Sequence, residues 1–309
     1  MISLCLICAL VFVNGWTDAP NAIATAVGCG ALKMRQASLM AAVMNLLGLA
    51  TAYLTSGRIV DSMQNIVSLD TDTMELAINV ASVGVVLWAV AAWYFGLPTS
   101  ESHAVVASLC GSAVAAVGTI NKGELSLVLV GLITSLTLGF TSGWLIGYIG
   151  ERIPIREKTL KKAVITSSAL MAFSHGAQDG QKLLGMMLLS LGSTANGKNE
   201  ILPMILVSAL MFLGTSVGGK RIVEKVGSLT RLSNKTAFCA DLGGAACVLA
   251  STFLGIPLST THSKTSAIMG VAAAGKRMKW QLGRDMLVAW LLTFPLLFLF
   301  GYFFTLILI

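Results

Sequence analysis

The chain has 309 residues, of which 55% are hydrophobic and only 11% are charged, whereas soluble domains carry about 25% charged residues. That balance excludes a soluble globular domain and describes a membrane protein with several spans. The net charge of +7 would suggest nucleic acid in a soluble protein, but here Lys and Arg fall in short loops between apolar runs, as they do in cytoplasmic loops, so nucleic-acid binding is a poor reading.

The first apolar run, Ile2 to Val13, has no basic region before it and no cleavage pattern after it, so it is expected to be retained rather than removed as a signal peptide. It runs into Asn14-Gly15-Trp16-Thr17-Asp18-Ala19-Pro20-Asn21, and the chain turns apolar again from Ala22 to Leu32. An Asp in mid-membrane costs roughly 2.5–3.5 kcal/mol on insertion scales, and other buried polar groups cost free energy unless they find partners. Taken in order, the apolar segments are 2–30 (broken), 37–56, 76–97, 104–119, 125–149, 163–191 (broken), 201–218, 237–256, 262–274 and 286–309. Most have the length of about 20 helical residues that a bilayer core requires. The segments 104–119 and 262–274 are shorter and read as half-helices or re-entrant pieces. All six Cys (Cys5, Cys8, Cys29, Cys110, Cys239, Cys247) lie in apolar stretches and read as small packing residues, not disulfides or a metal site.

Two motifs occur twice. His175-Gly176-Ala177-Gln178-Asp179-Gly180-Gln181-Lys182 interrupts the sixth segment as Asn14 to Asn21 interrupts the first, with Asp18 matching Asp179 and Asn21 matching Lys182. Gly96-Leu97-Pro98-Thr99-Ser100-Glu101-Ser102-His103 matches Gly255-Ile256-Pro257-Leu258-Ser259-Thr260-Thr261-His262. The separations are 161 and 159 residues, in the same order, which points to internal duplication. The expected architecture is an all-α polytopic membrane protein of two repeats, 1–150 and 163–309, joined by a basic cytoplasmic linker at 151–162. Each repeat holds five segments, an odd number, so the second lies inverted relative to the first. The basic loops at Lys33 and Arg35, at Arg152 to Lys162, at Lys220 to Lys235 and at Lys276 to Arg284 then all fall on one side, and the acidic loop with Asp61, Asp70, Asp72 and Glu75 on the other. The parity survives if two segments in each half re-enter instead of crossing.

Inverted repeats with matching breaks point to a secondary transporter whose site lies near the midplane. A helix that starts inside the membrane presents free backbone N–H groups, a ready anion site. Ser100 and Ser102 open one such helix, and Ser259, Thr260 and Thr261 the other. Lys182 adds a full positive charge. Asp18 and Asp179 fit in two ways: as oxygen ligands of a hard cation such as Na⁺, and as acceptors for the proton that phosphate retains near neutral pH and sulfate lacks. Each residue also has a plainer reading. Pro98 and Pro257 alone would be kinks, His103 and His262 packing or cap residues, the two aspartates structural caps, and the basic run 219–236 a solvated surface. Glu101 and Lys264 carry no assigned role.

These motifs resemble the inorganic phosphate transporter (PiT) family, whose duplicated signature reads approximately G-x-N-D-x-x-N, with a bacterial second copy close to H-G-x-N-D-G-Q-K and a further G-[IL]-P-V-S-x-T-H element. The likeness spans nearly the whole chain. Departures are Thr17 and Gln178 in place of the Asn before each Asp, Pro20 inside the first motif, and Glu101 where a small residue is common. The resemblance implies uptake of inorganic phosphate by symport with Na⁺ or H⁺, sometimes as a metal–phosphate complex, by a homodimer in the plasma membrane. The expected phosphate ligands are Ser100, Ser102, Ser259, Thr260, Thr261, Gln181 and Lys182. The expected cation ligands, for Na⁺ if sodium is the coupling ion, are Asp18, Asn21 and Asp179, with Thr25 and Thr99 secondary. No other cofactor and no catalytic residue is expected. The rival readings are a permease for sulfate or another oxyanion, a membrane-embedded Ser/His hydrolase, and channel-like conduction.

Overall fold

Every expected segment is helical in the computed structural model of the chain, which describes residues 2–192, 200–217 and 219–309; the last residue of the expected 201–218 segment falls outside these. The first half contains α1 (Ile2–Thr17), α2 (Pro20–Gly28), α3 (Met34–Thr55), α4 (Arg58–Gln64), α5 (Thr71–Phe95), α6 (Glu101–Ala115) and α7 (Lys122–Arg152). The second contains α8 (Glu157–His175), a π-helical turn (Gly176–Gly180), α9 (Gln181–Ser190), α10 (Ile201–Val217), α11 (Lys220–Gly227), α12 (Asn234–Leu254), α13 (Thr260–Ala274) and α14 (Trp280–Leu308). The short helices α4 and α11 were not expected, nor was the antiparallel ribbon of β1 (Val67–Ser68) and β2 (Thr119–Ile120). Among the described residues, six helical stretches are long and apolar enough to cross a membrane: α1 with α2, α3, α5, α7, α12 and α14. The single C-x-x-C spacing, Cys5 and Cys8, lies on α1 with both thiols free.

The proline motifs end one helix and start the next. Gly96 and Gly255 take left-handed φ values of 68° and 72° at the C-caps of α5 and α12. Leu97 N then bonds back to Ala92 O, and Ile256 N to Ser251 O, each at 2.9 Å. This six-residue closure satisfies the last carbonyls. Pro98 and Pro257 follow where no helix can continue, so they are not kinks. Ser100 and Ser259 become the N-caps of α6 and α13.

The aspartate motifs differ from the expected breaks. Only Asp18 and Ala19 separate α1 from α2, and Ala19 N reaches back five residues to Asn14 O at 3.2 Å. The second motif runs through as the π-helical turn. Each motif widens a nearly continuous helix by one residue, the π-type irregularity often found at functional sites. The motif glycines serve close approach. A Cβ at Gly15 would lie 2.5 Å from Met211 O on α10, and one at Gly176 would lie 2.0 Å from Asn45 O on α3.

Contacts between elements come in matched pairs. α1 lies along α10 and α3 along α8 with its π turn; α5 packs on α1 and α12 on α8; α4 packs on α9 and α11 on α2. The largest seams join α7 to α13 and α14 to α6, so the two halves interdigitate. Small residues allow this approach: Cβ atoms at Gly143 and Gly301 would come within 2.2 Å of Ala267 O and 2.1 Å of Ser108 O.

The two ends of the molecule differ. At one end, Asn234 bonds Glu157 at 3.1 Å, Lys235 bonds Ile153 O at 2.9 Å, and Arg277 lies 3.6 Å from Glu151. The basic loops after α7, before α12 and after α13 therefore meet there. At the other end lie the β ribbon, Asn121 N bonded to Ile66 O at 3.0 Å, and Ser3 bonded to Glu75 at 2.7 Å. α5 starts and α6 finishes at the ribbon end; α12 starts and α13 finishes at the basic end.

Candidate functional site

The two widened turns and the two helix starts converge in the interior. Asp18 Oδ1 accepts from Asn21 Nδ2 at 3.2 Å and from the Thr261 hydroxyl at the start of α13. Asn21 Nδ2 also donates to Thr261 Oγ1 at 3.0 Å. Around Asp179, Lys182 Nζ lies 2.6 Å from Oδ1, Ser102 Oγ donates to the same oxygen at 3.0 Å, and the Thr260 hydroxyl donates to Oδ2. Lys182 further donates to Ser102 Oγ at 3.1 Å and to the Leu258 carbonyl. Asp18 thus takes one hydroxyl from the remote start of α13, and Asp179 takes hydroxyls from the starts of both α6 and α13. Asp18, Asp179, Asn21, Lys182, Thr260 and Thr261 are buried, and Ser102 is partly so.

The remaining expected ligands are placed differently. Ser100 Oγ pairs with His103 Nδ1 at 2.6 Å, and Ser259 Oγ accepts from His262 N at 3.1 Å as the α13 cap. Gln181 Nε2 donates to Ala177 O at 2.8 Å while its Oε1 accepts from no described residue. Thr25 does not join the Asp18 group; its hydroxyl donates to Asp241. The rings of His103 and His262 stack with centroids 5.5 Å apart, and Trp290 packs on His262 and donates to Pro98 O at 2.6 Å. This places the histidines between the two helix starts.

Three buried residues carried no role in the sequence reading: His175 and Glu101 stand at the site, and Asp241 lies apart from it in contact with Thr25. His175 Nε2 lies 3.4 Å from Asp179 Oδ2, and its Nδ1 lies 3.2 Å from Asn45 Oδ1. Glu101 accepts from the Thr17 hydroxyl, placing a third acid beside the site. Asp241 pairs with Lys264. An isolated acid or amide inside an apolar segment, as at Asn45 and Asp241, was the available signal.

The donor set fits a cation. Ligand atoms of Asp18, His175 and Asp179 all lie within 4.8 Å of one another, about twice the 2.3–2.6 Å distance from a hard cation to oxygen. Asn14 Oδ1 and Asn21 Oδ1 are buried and accept no hydrogen bond from any described residue, as expected of acceptors that face a positive ion. In the tautomer that donates from Nδ1 to Asn45, His175 Nε2 turns a lone pair toward Asp179 Oδ2, 3.4 Å away, and a cation bridging the two atoms from the side would satisfy both.

The Phosphate transporter family matches residues 14–164 and 149–301 of this sequence. The chain belongs to that family. It is 33% identical over 95% of its length to a Bacillus subtilis protein described as a "Probable low-affinity inorganic phosphate transporter", covering 92% of that protein. A Rhizobium meliloti protein with the same description is 33% identical over 92% of this chain and 89% of its own. A solved structure described as "The sodium-dependent phosphate transporter" superposes with a TM-score of 0.87 over 99% of this chain and 98% of that one, at 22% identity. At that identity the likeness establishes the fold, a polytopic bundle of helices.

Proposed function

We propose that this phosphate transporter family member moves inorganic phosphate across the membrane as a secondary symporter, with Na⁺ or H⁺ as the coupling ion. One observation carries the reading: two buried aspartates that accept hydroxyls from helices beginning inside the membrane, Asp18 from Thr261 and Asp179 from Ser102 and Thr260. First-turn N–H groups, Ser102, Thr260, Thr261 and Lys182 offer donors to an oxyanion; Ser100, Ser259 and Gln181 lie next to them. Asp18, Asn21 and Asp179, joined by His175, offer acceptors to the cation. Phosphate brings one or two negative charges to a site that already holds two aspartates against one lysine. Helix ends add only about half a charge each, so a cation or proton must enter with the anion.

The same reading gives the chain two inverted repeats, 1–150 and 163–309, joined by the linker 151–162. What supports it is the matched pairing of elements and the way α5 with α6, and α12 with α13, return to the end they start from. Each half then crosses three times, α12–α13 re-enters from the cytoplasm and α5–α6 from outside. The basic end is cytoplasmic by its charge, the membrane is the plasma membrane, and two copies associate in it. Family membership and burial of the Ser and His side chains in paired helix starts disfavour a hydrolase; a sulfate permease and a channel remain the alternatives.

The test is uptake of labelled phosphate into proteoliposomes with Na⁺ and proton gradients imposed separately and sulfate as competitor. Uptake that follows one gradient is expected. Flux indifferent to both would mean a channel, and equal competition by sulfate a general oxyanion permease.

A further inference from the structure

A second polar cluster lies one turn from the site, and only on one side of it. Lys264 and Asp241 are both fully buried and paired. Asp241 Oδ1 also accepts from the Thr25 hydroxyl, and Oδ2 accepts from Ser168 and, at 3.2 Å, from Ser167. Lys264 Nζ donates to Thr25 Oγ1 at 3.0 Å. The cluster therefore ties together α2, α8, α12 and α13. Each of these runs between the site and the basic end. Thr25 is four residues past Asn21 on α2 and Lys264 four past Thr260 on α13, about 6 Å of helix rise in each case. Ser167 and Asp241 lie between the basic loops and the site on α8 and α12.

The duplication supplies an internal control. At the offsets of the two motif pairs, Asp241 corresponds to Ser82, Lys264 to Val105, Thr25 to Met186 and Ser168 to Ile7. Ile7, Val105 and Met186 belong to one apolar cluster, and the Ser82 hydroxyl finds no partner among the described residues. The same packing position is thus filled without charge in the other half, so the fold itself does not require an ion pair there. Burying a pair of charges is often no more stable than apolar packing of similar volume. What an ion pair does differently is open into water: separated and hydrated, its two charges are each well solvated, whereas parted apolar walls are not.

We infer that the Lys264–Asp241 cluster is the barrier between the phosphate site and the basic face, an ionic latch that parts and hydrates when the site opens to that side. The inference rests on the transport reading above. In the closed arrangement the latch holds four helices together. Once parted, Lys264 faces the departing anion and the basic loops lie beyond it.

Two variants and a reporter test this. In a Cys-free background, Ser167→Cys places a thiol at the edge of the cluster, probed with a membrane-impermeant maleimide from each face of vesicles. With the pair intact and no substrate, the thiol is expected to be protected. Asp241→Asn leaves Lys264 buried and unpaired, and labelling from the basic face should rise at least tenfold, with no rise from the other face. Asp241→Ser with Lys264→Val copies the residues of the first half. It should fold, bind labelled phosphate within about twofold of wild type, and transport it at least tenfold more slowly. A folded Asp241→Asn protein with wild-type protection would overturn the latch, as would wild-type uptake by the double variant or a rise from the ribbon face. If Asp241→Asn does not fold, the double variant decides alone. Failure of the phosphate reading would show separately, as wild-type protein that neither binds nor takes up phosphate while the labelling contrast still holds.

Discussion

Lys182→Met removes the positive charge of the site and leaves its partner behind. Lys182 Nζ lies 2.6 Å from Asp179 Oδ1, and at an effective dielectric of about 20 that separation corresponds to roughly 6 kcal/mol of attraction. Part of the loss is offset, because Ser102, Thr260 and His175 continue to face the carboxylate. Breaking one partner of a buried pair costs about 3–5 kcal/mol in measured cases, and the variant should lose that much stability in the absence of ligand. Binding weakens only by what the complex loses beyond the free protein; a further loss of about 3–5 kcal/mol there, from the missing contact of Lys182 with phosphate, lowers affinity by roughly 10² to 4 × 10³ at about 1.4 kcal/mol per tenfold. The site is also one unit more negative, so cation binding should tighten. The companion variant Asp179→Asn with Lys182→Met removes both charges and should recover at least half of the lost stability. The assay is a double-mutant cycle on purified protein, with tryptophan-monitored unfolding for stability and equilibrium binding of labelled phosphate over a range of Na⁺ concentration. Additive effects of the two substitutions, or wild-type affinity in Lys182→Met, would refute the charge accounting of the site.

Asp18→Asn and Asp179→Asn should each weaken the dependence of phosphate binding on Na⁺ or on pH, because cation and anion favour each other's binding equally; wild-type dependence in both variants would make the aspartates structural caps. If a carboxylate accepts the proton that phosphate carries, sulfate should compete worse by up to about 10⁴-fold, and a competition curve on the purified protein measures the ratio. Gly176→Ala drives a Cβ to within 2.0 Å of Asn45 O. It should cost about 1–3 kcal/mol and lower phosphate affinity through the Asn45–His175–Asp179 chain; a thermal midpoint and affinity equal to wild type would show that α3 moves aside freely.

Some of this molecule is written locally. Hydropathy marks the helices because each must satisfy its backbone within itself in lipid. Gly96-Leu97-Pro98 and Gly255-Ile256-Pro257 announce a helix end and a new start, since a left-handed cap and a residue without an N–H leave few alternatives. Repetition of these motifs at nearly constant spacing points to an internal duplication. Other features were beyond local reading. Asp18 and Asp179 look like breaks in the chain, yet the helices stay nearly continuous, because α10 and α3 press onto Gly15 and Gly176 and the widening is a single residue. Thr25 stands one turn from Asn21 and reads as a site residue, but its hydroxyl turns to Asp241. The contacts that define the site join residues far apart in the chain: Asp18 to Thr261, and Asp179 to Ser102 and Thr260. Lys264 and Asp241 likewise sit on separate helices whose hydropathy says nothing about which faces meet. A residue's type and spacing determine whether it can enter lipid within a helix. Which buried charge it meets there depends on how the two halves interdigitate, and only the packed structure decides that.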